Sequence, residues 1–265
     1  MPTELSGVPE TALITLRNRA VEAARPDGVL ADPQALAVLE RLGERTERYA
    51  TFSNADQAIA LRARVFDDVT RRFLTEHPGA TVVALGEGLQ TSFWRIADPH
   101  VDWLTVDLPE MVALRKRLLP AEPRMRAFAG SALDRAWMNA VPSGAPPLIT
   151  AEGLLMYLPP DEVRALLRDC AARFPGGAMV FDTIPDWAST TEGAWLSADY
   201  KLPAMPFHLS RREAARLVDT VPGIVEVVDV PAPAGRGLVA ALVRLGWNLP
   251  VARDVRPTIT VLRFG

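Results

Sequence analysis

A single cysteine and three histidines stand among 265 residues, and that scarcity excludes several chemistries. Cys170 has no partner for an internal disulfide and no companions for a structural zinc site. Its expected place is the buried face of a helix over 161–173, ahead of any nucleophilic role. Lys+Arg number 29 against 32 Asp+Glu, so no basic excess marks a nucleic-acid or anionic-membrane surface. A long apolar span is also missing, and Met1-Pro2-Thr3-Glu4-Leu5 does not read as a basic-then-apolar leader. The expectation is a cytoplasmic protein with no nucleic-acid, membrane or metal partner; its oligomeric state is left open.

What the chain does contain is an ordinary apolar fraction, 49%, and a clear change of period along its length. Before Gly79, apolar residues recur at helical spacing over 9–25, 33–42 (with Asp32 as the cap) and 55–76. This makes 1–78 an N-terminal helical cap. From Thr81 onward short apolar runs alternate with helices. Strands are expected near 81–85, 101–106, 124–129, 147–151, 178–182, 224–230 and 257–264. Helices are expected at 89–97, 109–118, 161–173, 210–219 and 237–246. Seven strands in such alternation predict an α/β fold with a mostly parallel sheet, 79–265, of the class I methyltransferase (Rossmann-like) type. The connection 184–209, rich in Trp, Pro and Met, is long for its place and reads as a lid.

The first apolar run empties into Gly86-Glu87-Gly88. The next ends on Asp107, 21 positions beyond Gly86. Glycines admit a ligand to the backbone, and an acid at the second strand's tip accepts hydrogen bonds from ribose hydroxyls. Leu108 follows that acid. The third glycine of the dinucleotide fingerprint is replaced by Thr91, and the loop has no nearby basic residue for a phosphate before Arg95. An adenosine ligand without phosphates fits this pattern: S-adenosylmethionine. Ser131, Ala132 and Leu133 after the third strand either flank an adenine or form a turn capped by Asp134. Glu152, ending the fourth strand beside Gly153, either lines the site or pairs with an arginine at the surface.

Three strings carry a family resemblance: Val82-Val83-Ala84-Leu85-Gly86-Glu87-Gly88-Leu89, Val106-Asp107-Leu108-Pro109-Glu110 and Ala151-Glu152-Gly153-Leu154-Leu155-Met156-Tyr157-Leu158. The chain resembles the leucine carboxyl methyltransferase family, in the bacterial branch that includes a tetracenomycin polyketide O-methyltransferase. The resemblance implies an S-adenosylmethionine-dependent O-methyltransferase. The glycine loop would carry the methionine portion, Asp107 the ribose, Ser131–Leu133 the adenine edge, and Glu152 would lie near the methionyl end. It also implies an N-terminal arginine on the cofactor carboxylate; Arg19, Arg62 and Arg64 are the candidates. The family often continues its loop as Gly-Leu-Asp-Thr-Arg, whereas here Gln90 and Ser92 replace the acid and the arginine.

A carboxylate acceptor is ionised at neutral pH and needs no base, whereas a phenol, with a pKa of about 10, benefits from one. His208 is the candidate base or substrate contact, His77 and His100 being expected at the surface. Tyr157, Trp187, Tyr200, Met205 and Phe207 are candidates for an acceptor wall suited to a flat small molecule. The leading expectation is therefore O-methylation of a carboxyl or phenolic hydroxyl on a small molecule, with a polyketide-type secondary metabolite as one candidate. A protein C-terminal carboxylate, a nicotinamide-dependent reductase and a non-catalytic cofactor-binding protein are the alternatives.

Overall fold

The computed structural model describes residues 5–50, 55–190, 195–197, 200–231, 233–237, 249, 252, 254 and 256–265. Its centre is a seven-stranded sheet of β1 (Thr81–Leu85), β2 (Asp102–Asp107), β3 (Met125–Ala129), β4 (Leu148–Ala151), β5 (Ala178–Thr183), β8 (Ile224–Val230) and β9 (Thr258–Phe264). The order is β3-β2-β1-β4-β5-β9-β8. Strands β1 to β5 run parallel, and β9 inserts antiparallel between β5 and β8. All five residues of β1 and all six of β5 are buried, as expected for strands covered on both faces.

Alternation along each strand divides the core between the two faces. Val82 and Ala84 join Phe66 and Phe73 of α3 (Ala55–Glu76) and Phe93 of α4 (Ser92–Ile96). Val83 and Leu85 face Leu166, Leu167 and Cys170 of α6 (Pro160–Arg173), with Trp137 beside them. Cys170 is buried there, and burial pushes its thiol up to about 12. Its expected inert place in the helix is the one it occupies.

Ahead of α3, α1 (Thr11–Ala23) and α2 (Pro33–Leu42) pack together over Leu16, Ala20, Ala35 and Val38. Asp32 caps α2 by accepting from Ala35 N at 3.0 Å. α5 (Pro109–Leu118) matches its expected span, with Pro at the first turn. α4 is shorter than expected because residues 86–91 are spent in a tight loop, and Ala97 ends the helix in the left-handed conformation at φ 53°. The expected helix at 210–219 divides into α8 (Arg211–Ala215) and α9 (Leu217–Thr220). At the division, Arg216 N is shared between the carbonyls of Arg212 and Glu213. The expected helix at 237–246 lies outside the described residues, apart from Gly237.

Within 184–209 are α7 (Asp186–Ser189) and a small hairpin of β6 (Trp195–Ser197) and β7 (Tyr200–Lys201). Its two ends are tied together: Leu209 N donates to Ile184 O at 3.2 Å, and Thr183 Oγ1 donates to Leu209 O at 3.0 Å. Among the described residues, no helix is long and apolar enough to cross a membrane.

Candidate cofactor and acceptor site

The chain connections reverse direction between β1 and β4, which opens a crevice at the carboxyl ends of these neighbouring strands. Into it run the loops after β1, β2, β4 and β5. Gly86 and Gly88 both have φ of 56°. A Cβ at Gly86 would stand 2.7 Å from Leu154 Cδ1, and one at Gly88 would stand 3.1 Å from Ala12 Cβ. The loop therefore needs glycine for its conformation and for the closeness of its neighbours.

Asp107, at the tip of β2, binds the backbone of the loops after β1 and after β2. Its Oδ2 accepts from Gly88 N at 2.6 Å and its Oδ1 from Leu108 N at 2.8 Å. Each oxygen keeps a lone pair for a further donor. Burial raises the Asp107 pKa, an effect these backbone bonds partly offset. Leu108 is 36% exposed beside it. In the next loop, Ser131 is exposed and Ala132 buried; Ser131 Oγ accepts from Leu133 N, and Trp137 Nε1 donates to Ala132 O. Asp134 also caps the following 3-10 helix through Ala136 N. A turn pinned in this way still leaves the Ser131 side chain exposed beyond the end of β3.

Glu87 turns inward. Its carboxylate accepts from Trp103 Nε1 and Thr105 Oγ1 and lies 2.9 Å from Arg115 NH2. Arg115 also donates to the carbonyls of Gly88 and Gln90. Burial raises the Glu87 pKa, and Arg115 opposes the shift.

The three candidate arginines occupy different settings. Arg19 is fully buried and donates to Asp32 Oδ2, Thr15 O and Leu89 O. Arg64 reaches Val29 O and Ala234 O. Arg62 reaches the crevice: its Nε donates to Glu152 Oε1 at 3.0 Å and its NH1 to Asp182 Oδ2 at 3.1 Å. Its NH2 has no hydrogen-bond partner among the described residues, and a Cβ at Gly153 (φ 66°) would lie 3.1 Å from it. Burial alone would lower the Arg62 pKa, but Asp182 and Glu152 outweigh that and raise it. Glu152 is the β4-end acid of the sequence, and burial raises its pKa against the pull of Arg62.

Asp182 was not singled out from the sequence. The signal was available, because it is an acid ending the apolar run Ala178-Met179-Val180-Phe181, the same pattern that marked Asp107 and Glu152. The two departures in the glycine loop also find their places. Gln90 Nε2 donates to Glu152 Oε1 at 2.7 Å. The cation missing at position 92 is supplied from position 95. Arg95 donates to Ser92 Oγ, to both oxygens of Asp67 and to Asp32.

The expected acceptor-wall residues are dispersed. Tyr157 is half-buried, and burial raises its pKa; Arg62 and Asp182 are its charged neighbours. Tyr200 is buried edge-on to Tyr49, with ring centroids 6.2 Å apart, and packs on Ile14. Met205 is buried, Phe207 belongs to the core beside α6, and Trp187 is 58% exposed on α7. His208 Nε2 lies 3.4 Å from the exposed Asp186.

A family model for leucine carboxyl methyltransferase matches residues 12–171. Over 184 residues the chain is 36% identical to the tetracenomycin polyketide synthesis O-methyltransferase TcmP of Streptomyces glaucescens, covering 69% of this chain and 68% of that protein. Over 186 residues it is 32% identical to the S-adenosyl-L-methionine-dependent methyltransferase dpfgK of Gibberella zeae, covering 64% and 62%. Among solved structures, the CurJ carbon methyltransferase superposes with a TM-score of 0.52 at 14% identity, covering 97% of this chain and 68% of that one. PigF, solved with SAH, gives 0.51 at 16%, covering 96% and 71%. At those identities the structural likeness establishes the fold alone, the class I Rossmann-like sheet. The sequence matches place the chain in the leucine carboxyl methyltransferase family, as an S-adenosylmethionine-dependent O-methyltransferase.

Proposed function

We propose that this enzyme methylates a carboxylate of a compact small molecule. The observation that carries the reading is the absence of an uncommitted base at the crevice among the described residues. Asp32, Glu87, Glu152 and Asp182 are each bonded to a guanidinium, and Asp107 to two backbone N–H groups. His208 pairs with an exposed acid. An acceptor that arrives ionised needs none of them as a base. The relative named for polyketide synthesis supports a small-molecule acceptor.

The residues present fit the cofactor. Two glycines clear the loop for a ligand, and the donor set has a guanidinium with unused N–H groups beside carboxylates, suited to an amino-acid tail. In this reading S-adenosylmethionine supplies the methyl group and a neutral thioether leaving group. Arg62 NH2 holds the carboxylate of the tail, Glu152 its ammonium, Asp107 the ribose hydroxyls, and Leu108 with Ser131, Ala132 and Leu133 the adenine. Tyr157, beside Arg62, borders the acceptor. Alignment and exclusion of water are then the protein's main contributions.

Two measurements test this. Calorimetric titration is expected to show micromolar binding of S-adenosylmethionine, lost in Asp107→Ala, and none of NAD or NADP. Labelled methyl transfer to a panel of aromatic acids and phenols is then expected to give alkali-labile esters. Alkali-stable ethers as the sole products would overturn the carboxylate assignment in favour of a phenol.

A further inference from the structure

Buried charge around the crevice does not balance. Arg19, Arg62, Arg95 and Arg115 face Asp32, Asp67, Glu87, Asp107, Glu152 and Asp182. Arg19 and Arg95 are matched by Asp32 and Asp67, and Arg115 by Glu87. Arg62 is shared between two acids, Glu152 and Asp182, and no second guanidinium among the described residues is bonded to either; their side chains are only 7% and 8% exposed. The methionyl end of the site is thus over-compensated by one negative charge. Burying such an excess is unfavourable unless a cation completes it.

Asp182 decides this arrangement. Its Oδ1 accepts from Gly153 N at 2.6 Å, and its Oδ2 accepts from Arg62 NH1. One carboxylate at the end of β5 therefore fixes both the turn after β4 and the guanidinium brought in by α3. We infer that Asp182 is a positioning residue that holds Arg62 over the crevice, and that its charge makes the site prefer the cationic sulfonium donor to the neutral thioether product. Donor and product share every other charge and nearly the same shape, so a fixed excess charge is an economical way to tell them apart. Weak retention of the product follows. This rests on the cofactor placement proposed above and deepens it.

The experiment is calorimetry of wild type and Asp182→Asn with three ligands: S-adenosylmethionine, S-adenosylhomocysteine, and sinefungin, whose amine carries a positive charge near the sulfonium position. Asparagine keeps the shape and an oxygen for Gly153 N. Wild type is expected to bind both cations on the order of tenfold more tightly than the thioether. The variant is expected to lose most of that preference, so that both cations weaken severalfold more than S-adenosylhomocysteine, while any loss common to all three ligands reads the looser hold on Arg62. Equal weakening of all three ligands would reduce Asp182 to a structural support and overturn the inference. So would a wild type with no preference. If wild type bound none of them, the cofactor placement itself would fail, a different result. Should Asp182→Asn not fold, Glu152→Gln removes one charge from the other flank of Arg62. Because Glu152 also meets the ammonium common to all three ligands, only the ratio between cations and thioether is read there, and an unchanged ratio of about tenfold would overturn the inference.

Discussion

Glu87 sets the inner side of the glycine loop. Trp103, Thr105 and Arg115 converge on its carboxylate, and Arg115 in turn holds the carbonyls of Gly88 and Gln90. Removing the acid leaves a guanidinium buried without a counter-charge. Truncating one partner of such a pair costs about 3–5 kcal/mol. Glu87→Gln is therefore expected to lower the denaturant midpoint by a corresponding amount and to weaken cofactor binding through a loosened loop. A loss below about 1 kcal/mol in urea unfolding would show that Arg115 finds another partner. Gly86 makes the complementary case from the backbone. Its φ of 56° and the 2.7 Å approach of Leu154 penalise a methyl group twice. Strain at such a φ costs of order 1–3 kcal/mol. Gly86→Ala should thus raise the Kd for S-adenosylmethionine severalfold, and an unchanged Kd would mean the loop relocates freely.

At the scale of elements, Asp32 joins parts that the chain order separates. It caps α2, accepts from Thr91 Oγ1 at the start of α4, and pairs with Arg19 of α1 and Arg95 of α4. Burial alone would raise its pKa, but the two arginines outweigh that and lower it. The lowered value means stability present above the unfolded pKa, near 4, and lost as pH falls through the folded one. Asp32→Asn keeps the cap but not the charge. It should destabilise at pH 7 and show a shallower loss of stability below about pH 4; a parent-like acid transition would contradict this. The segment 184–209 has another logic. Its ends are clamped at Ile184 and Leu209, and His208 sits beside that clamp with Asp186. For a carboxylate acceptor, His208→Ala should change turnover less than threefold, and a larger loss would restore its role as a base.

These elements also show what was legible beforehand. Apolar runs ending on an acid or a glycine located β1, β2, β4 and β5 within a residue or so, because strand burial depends on local pattern. The ion pairs were not legible, since Arg62 meets Glu152 and Asp182 across 90 and 120 positions of sequence. Only packing brings them together. The aromatic composition of 184–209 was equally plain, but whether an aromatic faces a ligand or the core depends on the third dimension, and Phe207 went to the core.

For the whole molecule, net charge hides the relevant imbalance: −3 over 265 residues is modest, while the acids that matter are buried around one crevice. Asp67, Glu87, Asp107 and Glu152 all have raised pKa values, with burial the largest cause in each. A carboxyl that holds its proton more tightly when folded contributes stability that is full below its unfolded pKa and lost as pH rises through the folded one. The ligand-free protein should therefore lose thermal stability as pH climbs from about 5 to 7.5, the range just above ordinary carboxyl pKa values. Lowered groups such as Asp32 and Glu22 act at the acid end instead. S-adenosylmethionine brings its cation to the carboxylates when they are ionised, so its stabilising effect should be larger at pH 7.5 than at pH 5.5. Scanning calorimetry across that range, with and without the cofactor, reads both slopes. A ligand-free Tm that is flat or rises toward pH 7.5 would mean that the buried arginines already neutralise the crevice and that no charge is left over for a ligand to complete.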